Sequence, residues 1–233
     1  MKKNVLPKSG FFIFLLVLFI CNIRAANPVD TTKPKNIISF NLVTPFDPNF
    51  PRLRLGYTFI ITPNLSQSFE IGYGRRFLFP DSTFYADRSL SRSYKLWEMR
   101  TETRYYMAGI RKHVIPYLGL EIYRIRNRQI LYDESFEREW DKTVVYYEQA
   151  NYRRIKAGFN IKAGLIFRIN PVLAFEMYGG FGPRYKNNQY TNVIEGEDSS
   201  WSLNFFEEFD YYYKEGTHWS MNLTGGFKVD FLF

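Results

Sequence analysis

From residue 36 onward the chain alternates large apolar residues with polar, charged or small ones at period two. The stretch from His218 to Phe233 shows this most clearly. Trp219, Met221, Leu223, Phe227, Val229, Phe231 and Phe233 fall on one face, and His218, Ser220, Asn222, Thr224, Lys228 and Asp230 on the other. The same pattern predicts strands at about 36–43, 52–61, 65–79, 93–107, 116–130, 152–168, 173–186 and 218–233. Connections after the second, fourth and sixth strands are short: Thr62-Pro63-Asn64, Ala108 to Ile115, and Asn170-Pro171. Those after the third, fifth and seventh are long, at 80–92, 131–151 and 187–217, while the first upper turn, Thr44 to Pro51, is stiffened by three prolines. Short turns on one rim and long loops on the other are the habit of transmembrane barrels, and this arrangement leaves both termini on the short-turn side.

Both soluble and membrane barrels alternate, so volume decides which face is inside. The apolar set includes Leu53, Leu55, Phe69, Ile71, Phe159, Ile161, Phe175 and Met177 and comes to about 35 large side chains, whereas an eight-stranded barrel interior holds about twelve. The apolar face therefore points to lipid. The opposite face then lines the lumen with Arg54, Glu70, Arg76, Glu98, Arg100, Glu102, Arg104, Glu121, Arg154, Lys156, Lys162, Arg168, Glu176, Arg184, Lys228 and Asp230, interspersed with glycines. Opposite charges crowded there, above all Glu98, Arg100, Glu102, Arg104, Lys156 and Glu176, are expected to pair across strands and plug the lumen, because burying them unpaired costs several kcal/mol per ion. An aromatic share of 19% suits a barrel that shows rings to lipid and to both interfaces.

The N-terminus reads as a secretory signal over residues 1–25: Lys2 and Lys3, an apolar run from Phe11 to Ile20, then Arg24-Ala25-Ala26. The run is too short to span a bilayer, and Ile20 before Cys21 is larger than a lipoprotein signal wants. Residues 26–35 form a leader holding Pro28 and Pro34. Loss of the signal removes four bases and no acid, leaving 27 bases against 23 acids, so the net charge falls from +8 to +4. That balance, without a clustered basic motif, argues against nucleic-acid binding. It also removes the one cysteine, and with it disulfide and thiolate chemistry.

These features together resemble the small eight-stranded OmpA/OmpX-type outer-membrane barrels of bacteria. The resemblance rests on the signal peptide, the alternation and the ending Gly226-Phe227-Lys228-Val229-Asp230-Phe231-Leu232-Phe233. The run Glu102-Thr103-Arg104-Tyr105-Tyr106, followed by Pro116-Tyr117-Leu118-Gly119, adds to it. It implies an all-β, antiparallel up-and-down transmembrane barrel in the outer membrane with periplasmic termini. It also implies that Phe227, Val229, Phe231 and Phe233 form the C-terminal signal read by the barrel-assembly machinery. Membrane integrity, surface adhesion or lipid contact are the roles that such a resemblance suggests.

Candidate chemistry is sparse. Arg124, Arg126 and Arg128 share a face. If Leu118, Leu120 and Ile122 point to lipid, continued alternation turns these arginines outward at the level of the outer leaflet, where they suit lipopolysaccharide phosphates. A bulge would instead turn Tyr123 and Ile125 outward. His218-Trp219-Ser220 with Asn222 resembles the pattern of outer-membrane lipid A deacylases. Parity, however, places His218 and Ser220 in the lumen or at the upper rim, and Asp230 is about 40 Å away along the strand. His113, the other histidine, sits in a turn beside Arg111 and Lys112, and nothing in the chain suggests a metal site or a cofactor. The largest loop, with Glu195-Gly196-Glu197-Asp198, Trp201 and Phe205 to Tyr213, reads either as a recognition surface or as an extension of the neighbouring strands. A structural or surface-interaction barrel is the leading expectation. A narrow channel or accessory to a transport or secretion assembly is one alternative, and a lipid-modifying enzyme using His218 and Ser220 is another.

Overall fold

A sheet that is apolar on one face and charged on the other can close with either face inward, and here the charged one is enclosed. A computed structural model describes residues 36–47, 50–78, 93–107, 113–196 and 214–233, and over these the chain forms one closed barrel of eight strands. They are β1 (Ile37–Asn41), β2 (Leu53–Thr62), β3 (Leu65–Arg75), β4 (Lys95–Tyr106), β5 (Val114–Glu137), β6 (Val144–Arg168), β7 (Leu173–Glu195) and β8 (Gly216–Leu232). Each strand is antiparallel to its neighbours, and β8 returns to β1 through Ile37↔Leu232, Ser39↔Asp230 and Asn41↔Lys228, so the ring has no open edge. The fold expected from alternation, an up-and-down barrel of eight strands, is the fold observed. The signal peptide, the leader, the loop at 80–92 and the 197–213 part of the largest loop lie outside the described residues.

Strand ends at the rim that holds Asn36 and Phe233 are tied by tight turns. Asn170 Oδ1 accepts the backbone N–H groups of Val172 and Leu173, both at 2.8 Å, closing the β6–β7 turn. The other rim, called here the far end, departs from expectation. Residues 131–137 and 144–151 had read as loop, yet they extend β5 to 24 residues and β6 to 25, and β7 runs on to Glu195. The loop at 131–151 is therefore a hairpin whose connection is 138–143, closed by Arg138 N–H to Thr143 O at 2.9 Å.

Phase changes account for the difference. Asp133 adopts φ 53°, and burial passes from Leu131 to Phe136, an odd to an even position. Across from it the β6–β7 register shifts between Tyr147 and Asn151, so that Tyr147, Ala150 and Tyr152 are the buried positions.

The interior is layered along the barrel axis. Near the terminal rim an apolar cluster includes Ile37, Ile115, Ile166, Ala174 and Leu232, with Tyr106 and Tyr117. Charged residues fill the middle. At the far end Tyr123, Ile125, Phe136, Tyr147, Tyr152 and Tyr190 form a second apolar cluster, in which the Phe136 and Tyr190 rings stack at 4.0 Å. The turn between β1 and β2 folds into this mouth. Asn41 Oδ1 accepts from Val43 N and Thr44 N to start a 3-10 turn at Thr44–Phe46, and Phe50 is buried beneath.

The outer face carries the large apolar residues. Leu55, Phe69, Ile71, Met99, Leu120, Ile161, Phe181 and Leu223 are all more than half exposed. Monomeric soluble proteins do not show a contiguous apolar belt of this extent, and closure satisfies the backbone within the sheet, so the belt makes this a membrane-spanning barrel.

Candidate functional site

Charged side chains in the lumen have neighbours fixed by register, because each strand contributes alternate residues and adjacent strands bring them level. Glu70 faces Arg100, Glu102 faces Glu121, and Glu176 faces Lys228 across their ladders. From this arises a closed chain of ion pairs. Glu98 meets Arg54 at 3.5 Å, Arg54 meets Glu70 at 3.0 Å, Glu70 meets Lys228 at 2.6 Å, and Lys228 meets Glu176 at 3.2 Å. Glu176 meets Arg104 at 3.0 Å, Arg104 meets Glu102 at 2.9 Å, Glu102 meets Lys162 at 2.9 Å, and Lys162 meets Glu121 at 3.1 Å. Glu121 meets Arg100 at 2.6 Å, and Arg100 returns to Glu98.

This ring alternates five carboxylates with five cations and has no net charge. Its members come from every strand except β1, and β1 reaches it through Asn41, which donates to the Tyr178 hydroxyl at 3.0 Å. All are buried. Every carboxylate touches at least two cations, and this sharing offsets a desolvation cost of several kcal/mol per ion.

Tyrosines complete the layer. The Tyr178 hydroxyl accepts from Arg54 as well as Asn41, and Lys162 and Lys228 stand over its ring at 4.2 and 4.8 Å. Tyr117 donates to Glu176 at 2.7 Å, with Arg104 over its ring at 4.9 Å. The glycines leave room for these groups: a Cβ on Gly119 would lie 2.5 Å from Glu102 Oε1. Arg52 bonds Glu98 from above and Asp47 at 2.8 Å, tying the β1–β2 turn to the ring.

The structure thus brings Glu98, Arg100, Glu102, Arg104 and Glu176 together. Lys156, expected among them, stands apart. It lies six positions from Lys162 toward the far end of β6, opposite Ile125 and Lys186, and forms no ion pair among the described residues. Its aromatic neighbour is Tyr123, at 5.7 Å. Arg76 and Arg168 also lie outside the ring, Arg76 in a 3-10 turn after β3 and Arg168 at the end of β6.

Reading by sequence missed Arg52 and Tyr178. Arg52 precedes β2 and was not assigned to the lumen. Tyr178 carries no charge and so was absent from the charged lumen set, although its even position matches Glu176.

On the outside, β5 keeps its alternation without a bulge as far as Leu131. Tyr123 and Ile125 are buried, and Arg124, Arg126 and Arg128 point outward. They are not alone there. Arg128 is the direct cross-strand partner of Lys95 and of Arg153, and Lys95 pairs with Arg75, so one ladder row places four basic residues on four consecutive strands. Beside it Arg126 faces Trp97, whose ring lies 4.6 Å from that of Tyr73. A depression of about 330 Å³ opens at this level, lined in part by Arg128, Arg153, Ser93, Asn151 and Thr191.

His218 and Ser220 each bond to another residue of the described structure. A His218 ring nitrogen is bonded to the Glu215 carbonyl at 2.8 Å, and the Ser220 hydroxyl accepts from Arg184 Nε. Among the described residues no cluster of three or more metal-ligating side chains is found. On β8, Phe227, Val229, Phe231 and Phe233 lie on the outward parity, with Phe227 and Phe233 exposed.

No family model and no curated protein matches the chain. Among solved structures it is similar to the N-terminal β-barrel domain of Pseudomonas aeruginosa OprF, at 12% identity and a TM-score of 0.44, over 85% of this chain and 96% of that one. It is similar to Acinetobacter baumannii CarO at 11% identity and a TM-score of 0.36, over 88% and 100% of the two chains. Neisserial surface protein A follows at 10% identity and 0.33, over 85% and 95%. At these values the role of the chain is read from its own residues.

Proposed function

We propose that this protein is an integral outer-membrane barrel with both termini in the periplasm. Its lumen is closed by its own side chains, and its outer rim holds lipopolysaccharide phosphates on Arg124, Arg126 and Arg128. The observation that carries the reading is the outward row Arg75, Lys95, Arg128 and Arg153, with Arg126 and Arg124 below it. Like charges directly opposite in a sheet repel, and nothing apolar explains such a row at the margin of a lipid-facing surface. A layer of phosphates does.

Depth agrees. A tilted spanning strand needs about 9–11 residues, and the lipid-facing stretch of β5, Val114 to Ile122, supplies about nine before the arginines begin. Trp97 and Tyr73 at the same level suit a membrane interface. With lipid on one side and the ring sealing the other, the surface is what remains for function. Phe227, Val229, Phe231 and Phe233 would then serve during assembly, as the outward stripe that the insertion machinery meets.

Replacing Arg124, Arg126 and Arg128 together by Gln tests this. Each exposed charge contributes about 0.5–1 kcal/mol at such a site, so the triple variant should retain lipopolysaccharide about tenfold or more less tightly. The barrel itself should still fold, as judged by its heat-modifiable gel mobility. Equal co-purification of lipopolysaccharide with both proteins would remove the proposal.

A further inference from the structure

The outward face shared by β5, β6 and β7 is not flat beyond the level of Trp97. The depression of about 330 Å³ that opens there is lined in part by Arg128, Ile130, Asn151, Arg153 and Thr191. Ladder register sorts these residues into two tiers. Arg128 and Arg153 are direct cross-strand partners in the lower tier, flanked on β4 by Lys95. One outward position farther along, Ile130 faces Asn151 and Asn151 faces Thr191.

The lower tier is cationic and unengaged. Arg128, Arg153 and Lys95 form no ion pair and no side-chain hydrogen bond among the described residues, and Arg153 Nε is buried without a partner. The next carboxylates outward on β5 and β6, Asp133 and Glu148, each stand five positions farther along, about 16 Å at strand rise, where salt screens them. Opposed cations in a sheet repel. An anion set between two guanidinium forks relieves that repulsion and gains charge-assisted hydrogen bonds from both. A phosphate monoester, close to doubly charged, suits two such forks. A phosphodiester brings less charge and fewer free oxygens.

The upper tier indicates what carries the phosphate. The Asn151 amide and the Thr191 hydroxyl can each donate and accept, and neither is hydrogen-bonded through its side chain among the described residues. Sugar hydroxyls match such groups, and acyl chains do not. The volume lies at the lower end of ligand-sized clefts, more than a bare phosphate fills. Height agrees as well, because the lower tier stands one outward position beyond the pair Arg126 and Trp97, on the headgroup side of the Trp97 and Tyr73 rings.

We infer that the depression seats one phosphorylated sugar of a glycolipid headgroup, with its phosphate monoester between Arg128 and Arg153 and its ring hydroxyls on Asn151 and Thr191. This rests on the reading that the outer rim holds lipopolysaccharide phosphates. It adds the sugar, a single seat per barrel, and Arg153, Asn151 and Thr191 as the residues that select it.

Calorimetric titration of the delipidated full chain in detergent, with lipid A dispersed in the same micelles, tests the inference. The parent protein should saturate at one site, and Arg153→Gln should weaken binding about tenfold or more, the scale of one charge-assisted contact. Asn151→Ala should weaken binding of lipid A but not of phosphatidylglycerol, a phosphodiester lipid without a sugar. Both substitutions lie on the outward face, and unchanged heat-modifiable gel mobility shows that the variants fold. Lipid A stripped of its phosphates should bind at least about tenfold more weakly than the intact lipid. Equal binding of the stripped lipid, equal affinity for phosphatidylglycerol, or binding indifferent to Arg153→Gln overturns the inference. If the Arg124→Gln, Arg126→Gln, Arg128→Gln protein loses lipid A while Arg153→Gln and Asn151→Ala do not, the lipopolysaccharide reading stands and the seat alone is refuted. If the triple variant also binds as the parent does, both are refuted.

Discussion

Arg104 shows what one side chain carries in this lumen. It is fully buried and pairs with Glu102 and Glu176 at 2.9 and 3.0 Å, so its removal leaves two carboxylates to Lys162 and Lys228 alone. Arg104→Met should cost about 3–5 kcal/mol, as breaking a buried pair does, read from urea unfolding of the folded barrel in detergent micelles. A cost below about 1 kcal/mol would mean that the ring is water-filled and screened. Lys156→Met should act in the opposite sense. Among the described residues Lys156 has no acid to leave behind, so the variant should unfold no earlier than the parent and by the same assay should gain about 1 kcal/mol, the scale of relieving a poorly compensated, half-buried charge. Arg104 is fully buried among carboxylates, whereas Lys156 is partly exposed and has the Tyr123 ring as its neighbour.

At the scale of elements, the strands that leave the membrane are the instructive ones. β5 has 24 residues, more than twice what a tilted crossing requires, so its outer half and those of β6 and β7 stand beyond the lipid. Asp133 at φ 53° is the joint between the two parts of β5. A β-branched residue resists that conformation, so Asp133→Val should destabilise the hairpin by about 1–2 kcal/mol while Asp133→Gly should not. Hydrogen exchange of the amides from Leu131 to Phe136 would register the difference. Unchanged protection in the valine variant would argue against a phase change at this residue.

The same joint explains where sequence reading ended. Membrane-crossing segments keep strict parity because lipid lies on one side and charge on the other, and eight strands were legible from it. Beyond the joint neither constraint holds, and Asp133, Asn192 at φ 52° and the β6–β7 register shifts break the alternation, so strands were read as loops. Parity also located Glu98, Arg100, Glu102, Arg104 and Glu176 on one interior face. It gave direction without height, which is why Lys156, inward but six positions too far out, was grouped with them.

For the whole molecule, the layers of the interior act in series. An apolar cluster at the terminal rim, a neutral ring of ion pairs, and an aromatic cluster that includes Phe50 follow one another along the described part of the barrel, and the proposal of a closed lumen rests on that stacking. The Arg154 guanidinium lies 3.7 Å from the Phe50 ring centroid, which ties the β1–β2 turn to β6 at the far end. In the proposed reading, what distinguishes this barrel is the outward arginine row, set toward lipid phosphates. A closed lumen is the central claim of the proposed reading. Planar-bilayer recording of the purified protein tests it directly. The account predicts a membrane that stays at its baseline current, with no unitary steps at any applied voltage the bilayer tolerates. Reproducible single-channel steps from the unaltered protein would show that ions pass the ring and would contradict it.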